Sequence, residues 1–119
     1  MSITFESFQA YCLQKKGTTA GYPFGEGVLV FKVLNKMFAT CSTDEPQLNV
    51  NLKCDPDLAV TLRHHYEAIQ PGYHMNKKHW NTLILDGSIP DEEVFGLVDH
   101  SYDLVAKSLK KADRAQLGF

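Results

Sequence analysis

Two histidines, two lysines, two asparagines, a tyrosine and the only tryptophan of the chain fall within the stretch from Pro71 to Asn81. These residue types could do three kinds of chemistry. His64, His65, His74, His79 and Cys54 are all competent metal ligands, but His74 and His79 are five apart. On a helix that separation turns them about 140° from each other, so only a loop could bring them to one ion. Lys77 and Lys78 suit phosphates, Asn76 and Asn81 suit hydrogen bonding, and Tyr73, His79 and Trp80 offer rings on which a base can stack. The third kind, nucleophilic catalysis, is suggested by the run Asp99-His100-Ser101. Consecutive residues of a helix point about 100° apart and cannot hydrogen-bond in series, so that run is no triad. Cys12, Cys41 and Cys54 are widely spaced and form no C-x-x-C pair, which fits free thiols in a reducing cytosol. The glycines match neither of the Gly-rich phosphate-binding patterns.

The elements that must position the 71–81 stretch follow from periodicity. Thr4 is suited to cap a helix over about residues 4 to 16, in which Phe5, Phe8, Tyr11 and Cys12 recur at helical spacing. Residues 17 to 27 read as loop. Val28 to Leu34 and Met37 to Ser42 read as a hairpin turning at Asn35-Lys36, with Lys32 close by and a small basic tip as the result. Gln47 to Lys53 alternates, Leu48, Val50 and Leu52 on one side and Asn49, Asn51 and Lys53 on the other. Asp55 and Pro56 open a second helix, to about residue 66, whose buried stripe is Leu58, Ala59 and Leu62. Its other face carries Arg63 and His64. Trp80 to Asp86 reads as a strand, and from Pro90 the positions Val94, Leu97, Val98, Ser101, Tyr102, Val105 and Leu109 form one long C-terminal helix. Asp91, Glu92 and Glu93 sit at the positive end of its dipole, and Ser101 reads as a small residue that permits close packing. The resulting architecture is a single α+β domain over residues 1–119, a two-layer sandwich with a mostly antiparallel sheet and helices on one face.

Composition narrows the partners. A chain of 119 residues that is 44% hydrophobic supports one core. A formal charge of −2 argues against polyanion binding by bulk charge, so any nucleic-acid contact must be local. No segment approaches the roughly 20 apolar residues of a membrane span, and the N-terminus has no secretory pattern. The expectation is a cytoplasmic protein without cofactor or metal, monomeric by default.

The residues Asn51-Leu52-Lys53, Leu62-Arg63, Pro71-Gly72-Tyr73-His74-Met75-Asn76-Lys77-Lys78-His79-Trp80-Asn81, Leu85-Asp86-Gly87-Ser88 and Ser101-Tyr102 together resemble the MmcQ/YjbR family of small bacterial proteins. The resemblance spans nearly the whole chain, and His-Met-Asn-Lys-x-His-Trp is its most specific part. It implies a frataxin-like (CyaY-like) fold and a non-catalytic, DNA-binding and regulatory role through a double-wing arrangement. It also points to Lys53, Arg63, His74, Asn76, Lys77, Lys78, His79 and Trp80 as the site, to which the hairpin adds Lys32 and Lys36. A frataxin-like fold invites an iron-binding reading as well, but that needs acids along the first helix, which here offers Glu6 against Lys15 and Lys16. The alternative is a pocket for an anionic small molecule or a protein, walled by residues 71–81, the second helix and the wet face of the 47–53 strand.

Overall fold

The computed structural model describes residues 3–43, 47–73 and 75–119. In chain order the elements are α1 (Phe5–Leu13), β1 (Thr18–Gly21), β2 (Val28–Val33), β3 (Lys36–Ser42), β4 (Asn49–Lys53), α2 (Pro56–His65), β5 (Ile69–Pro71), β6 (Trp80–Ile84), α3 (Asp91–Lys107) and α4 (Lys111–Leu117). The strands make one sheet in the order β1-β2-β3-β4-β6-β5, with every neighbouring pair antiparallel. This is the expected α+β two-layer arrangement. Leu29, Phe31, Ala39, Cys41, Val50, Leu52 and Leu83 face the helices and join Phe8, Cys12, Ala59, Leu62, Val94, Val98 and Val105 in one apolar cluster. No helix among the described residues is long and apolar enough to cross a membrane.

Local chemistry sets the helix starts. The Thr4 hydroxyl accepts from the Ser7 amide at 3.0 Å while the Ser7 hydroxyl accepts from the Thr4 amide at 2.9 Å, a reciprocal capping box. Asp55 caps α2 by accepting from the Leu58 amide at 3.1 Å, with Pro56 in the first turn as expected.

Several boundaries differ from the sequence reading, each for a local reason. Thr18–Gly21, read as loop, is an edge strand whose backbone pairs with β2 although its middle residues are exposed. Ile69–Pro71 is a second short edge strand, and the edge is where a proline lacking a ladder donor is tolerated. The hairpin turns at Leu34-Asn35, both at positive φ (45° and 78°), because Lys36 pairs with Val33. A bulge lies just beyond, since Phe31 pairs with Ala39 and Lys32 with Met37. The extra residue, Phe38, turns into the core, 5.4 Å edge-on from the Tyr102 ring. α1 stops at Leu13, β4 begins at Asn49 and β6 ends at Ile84. The long C-terminal helix breaks after Lys107, and α4 brings Leu117 back against Gly17 and Leu34.

Ser101 does more than permit close packing. It is fully buried on α3, its Oγ accepts from the Lys53 amide at 2.9 Å, and it donates to the Phe38 carbonyl. Next to the Ala39–Leu52 pair, Phe38 and Lys53 would be the next partners in the ladder. The hydroxyl therefore stands between β3 and β4 where a direct bond would otherwise form. Ser101→Ala leaves both backbone groups unpaired and should lower stability by about 2–4 kcal/mol, read as a fall in the urea midpoint with an unchanged slope.

Candidate functional site

The 71–81 stretch is a closed loop between β5 and β6. Its base is shut by the Gly72 amide donating to the Trp80 carbonyl at 2.8 Å. Gly72 allows this approach, because a Cβ there would lie 2.8 Å from Trp80 Cβ and 3.0 Å from Met75 Cβ. The Asn76 carbonyl accepts from the His79 and Trp80 amides at 3.2 and 3.0 Å, and its side-chain oxygen from the Lys78 amide at 3.0 Å. The His79 carbonyl accepts from the Cys54 amide at 2.8 Å, which ties the loop to the end of β4. The Tyr73 amide donates to Thr82 Oγ1 at 2.9 Å.

Arg63 departs from its expected role. Its Nε donates to Asn81 Oδ1 at 2.7 Å, and its terminal nitrogen donates to the Lys77 carbonyl and, at 3.3 Å, to the Trp80 carbonyl. A guanidinium presents its donors in a rigid fork, which here is spent inside the protein rather than on a partner. Asn81, expected to face a nucleic acid, is 1% exposed and donates to the Ala59 carbonyl at 3.5 Å. Trp80 is buried, so it anchors the loop and offers no open face for stacking, whereas Tyr73 is 69% exposed. His79 is half-buried. Asn76, Lys77, Lys78 and Lys36 are exposed, and Lys32 and Lys53 are half-buried. His74 lies outside the described residues.

The register brings the remaining candidates to one end of the sheet. Val33, Lys36, Lys53, Trp80 and Pro71 finish or begin their strands at that end, where the β2–β3 turn and the 72–79 loop both lie. Lys32 stands opposite Met37 and Lys53 opposite Trp80. Lys15 and Lys16 lead into β1 at the same end, since Thr18 pairs with Val33. The last turn of α3 and the whole of α4 lie there too, because the Tyr102 hydroxyl reaches the Lys16 carbonyl and Leu117 packs on Gly17. All 12 Lys and Arg residues of the chain thus occupy that half, together with Asp55, Asp57, Asp99, Asp103 and Asp113. The opposite half holds the other described acids: Glu6, Glu26, Glu67, Asp86, Asp91, Glu92 and Glu93. The overall charge of −2 hides this polarity, because it depends on which strand ends coincide.

The other candidate chemistries are accounted for by packing. Asp99 accepts from the Tyr11 hydroxyl at 2.8 Å and pairs with Lys15, His100 Nε2 accepts from the Asp55 amide at 3.1 Å, and Ser101 bridges the strands. The three point to different partners. Burial pushes the Cys12 and Cys41 thiols up to about 12 and the Cys54 thiol up to about 11, which keeps them from serving as thiolate nucleophiles near neutrality. Among the described residues, no three His, Cys, Asp or Glu side chains are grouped to hold a metal ion.

The fold and this loop define a family. The YjbR family model matches residues 13–104. The uncharacterized protein YjbR of Escherichia coli K12 is 34% identical over 115 residues, spanning 97% of this chain and 98% of that protein. The uncharacterized protein YyaQ of Bacillus subtilis 168 is 42% identical over 117 residues, spanning 86% of this chain and 98% of its own length. The crystal structure of Deinococcus radiodurans protein DR2400, of the domain family DUF419, superposes with a TM-score of 0.90 at 39% identity, covering 98% of this chain and 88% of that one. The chain belongs to the YjbR family.

Two outcomes follow from this geometry. Arg63→Ala should cost about 1–3 kcal/mol and loosen the loop, seen as faster hydrogen exchange at the Gly72 and Trp80 amides. Arg63→Lys should restore little of either, because a single ammonium does not reproduce the fork. The second concerns pH. Burial, with the Asp99 hydrogen bond second, also raises the Tyr11 hydroxyl to about 12. Raised pKa values mean that the folded state holds these protons more tightly than the unfolded chain. The stability they confer is complete below the ordinary values of 9.0 for the thiols and 10.0 for tyrosine, and is lost as pH climbs through the folded values towards 12. Urea midpoints should fall progressively above pH 9, and Tyr11→Phe should flatten the part of the fall above pH 10.

Proposed function

We propose that this protein is a non-catalytic DNA-binding module of the cytoplasm, regulatory in role, that contacts phosphates with the end of the sheet bearing the β2–β3 turn and the 72–79 loop. The observation that carries the reading is the gathering of all 12 Lys and Arg residues into one half of a chain whose formal charge is −2. Polyanion binding needs a local surplus of positive charge rather than a basic composition, and among the described residues twelve cations against five carboxylates supply it. The two projections also fit the double-wing arrangement and frataxin-like fold that the family resemblance implies. Lys36 stands beside one, and Lys77 and Lys78 on the other, all three exposed.

The competing reading, a small anion held by Lys53, Arg63 and His74, loses a central group. The Arg63 guanidinium is directed at Asn81 and at two loop carbonyls, not at an open space.

Fluorescence anisotropy with a labelled 20-base-pair duplex at low salt tests the proposal. Binding should be weak, should fall steeply with added salt, and should weaken several-fold in the double variant Lys77→Ala with Lys78→Ala, whose salt slope should drop by about two. Absence of binding to single- or double-stranded DNA, or indifference to the double variant, would refute it.

A further inference from the structure

One face of the sheet carries no helix among the described residues, and it mixes apolar Val30, Met37 and Trp80 with polar side chains. Thr40, Asn51 and Thr82 form a row across three adjacent strands there, on the side opposite the core residues Ala39, Leu52 and Leu83. Lys32 and Lys53 alternate onto the same face. On its β1–β2 side a cleft of about 460 Å³ is lined by Thr19, Tyr22, Val30, Lys32 and Asn35 among others. Tyr22 is 49% exposed, and Phe24, two residues on in the same connection, is 74% exposed. Large rings left in water on a connection that could have carried polar residues call for a partner with flat faces.

From this arrangement we infer that the helix-free face binds a single-stranded nucleic acid, with one base lodged in the cleft against Tyr22 and its phosphates on Lys32 and Lys53. The inference rests on the nucleic-acid reading above and specifies the form of the ligand. In a duplex the base faces are stacked on one another and unavailable to Tyr22, so a duplex would engage the lysines alone. A single strand exposes both features, and ring stacking tolerates any base. The 72–79 loop lies over Trp80 and Thr82 of β6, and from β1 to β4 the sheet spans three gaps of about 4.8 Å each, roughly 14 Å, room for two or three nucleotides. The cleft is within the size range of roughly 300–1,000 Å³ typical of small-ligand pockets, ample for one base.

The test compares a labelled 15-nucleotide strand of mixed sequence with the corresponding duplex by anisotropy at low salt. The wild-type chain should prefer the single strand at least fivefold. Tyr22→Ala should weaken the single strand about tenfold, as loss of one stacked base predicts, with duplex binding unchanged, and Tyr22→Phe should retain it. Circular dichroism of both variants, at an exposed position, checks that the fold is kept. Equal or tighter binding of the duplex, or a Tyr22→Ala variant that binds the strand normally, overturns this inference while leaving the phosphate-contact proposal in place. Failure of both ligands to bind overturns the two together.

Discussion

The Arg63 guanidinium is the donor on which the Lys77 carbonyl and the Asn81 side-chain oxygen converge, and it adds a second donor to the Trp80 carbonyl beside the Gly72 amide. That fork ties α2, the 72–79 loop and the first residues of β6 into one unit, and the close approach allowed by Gly72 completes it. The same constraint decides what is left for a partner. With Arg63 and Asn81 turned inward and Trp80 buried beneath the loop, the exposed side chains include those of Tyr73, Asn76, Lys77 and Lys78. A residue that looked like a contact from sequence thus works by holding other residues where they can make one.

The separation of charge has two sources, and they can be told apart. α3 starts with Asp91, Glu92 and Glu93 and ends with Lys107, the order in which a helix dipole favours acids and bases. Folding alone explains that part. Lys32, Lys36, Lys53, Lys77 and Lys78 lie on strands and a loop and belong to no helix. Their convergence on one end follows from which strand ends coincide, and it is this remainder that supports a phosphate-binding role. Lys15 belongs to neither group, since its ammonium pairs with Asp99 and lies 5.2 Å from the centre of the Tyr11 ring.

Much of the fold was legible because the signals were local. Thr4, Asp55 and Pro56 announced helix starts through chemistry contained within a few residues, and the alternation around Val50 and Leu52 announced a half-buried strand. β1 and β5 were illegible because each is a short edge strand held by its neighbour's backbone and not by a buried pattern of its own. The hairpin turn was misplaced by one residue because the bulge at Phe38 is imposed from outside, by Tyr102 of α3. The break before α4 carries no proline or glycine to mark it, and only Leu117 folding back on Gly17 reveals it. For the site, residue types were readable and directions were not: nothing in the sequence distinguishes an arginine that faces a phosphate from one that faces two carbonyls.

The uncovered sheet face shows how such a surface stays in solution and what it can recognise. The Asn51 amide donates to Thr40 Oγ1 at 2.9 Å, and the Thr82 hydroxyl donates to Asn51 Oδ1 while accepting from the Tyr73 amide. The row is satisfied largely by its own members across β3, β4 and β6, so its polar groups, the buried Thr40 hydroxyl included, need no helix over them. Groups engaged in this way have little left to read the edges of bases. Recognition on this face would therefore fall to rings and cations, which grip a strand through stacking and charge and discriminate weakly among sequences.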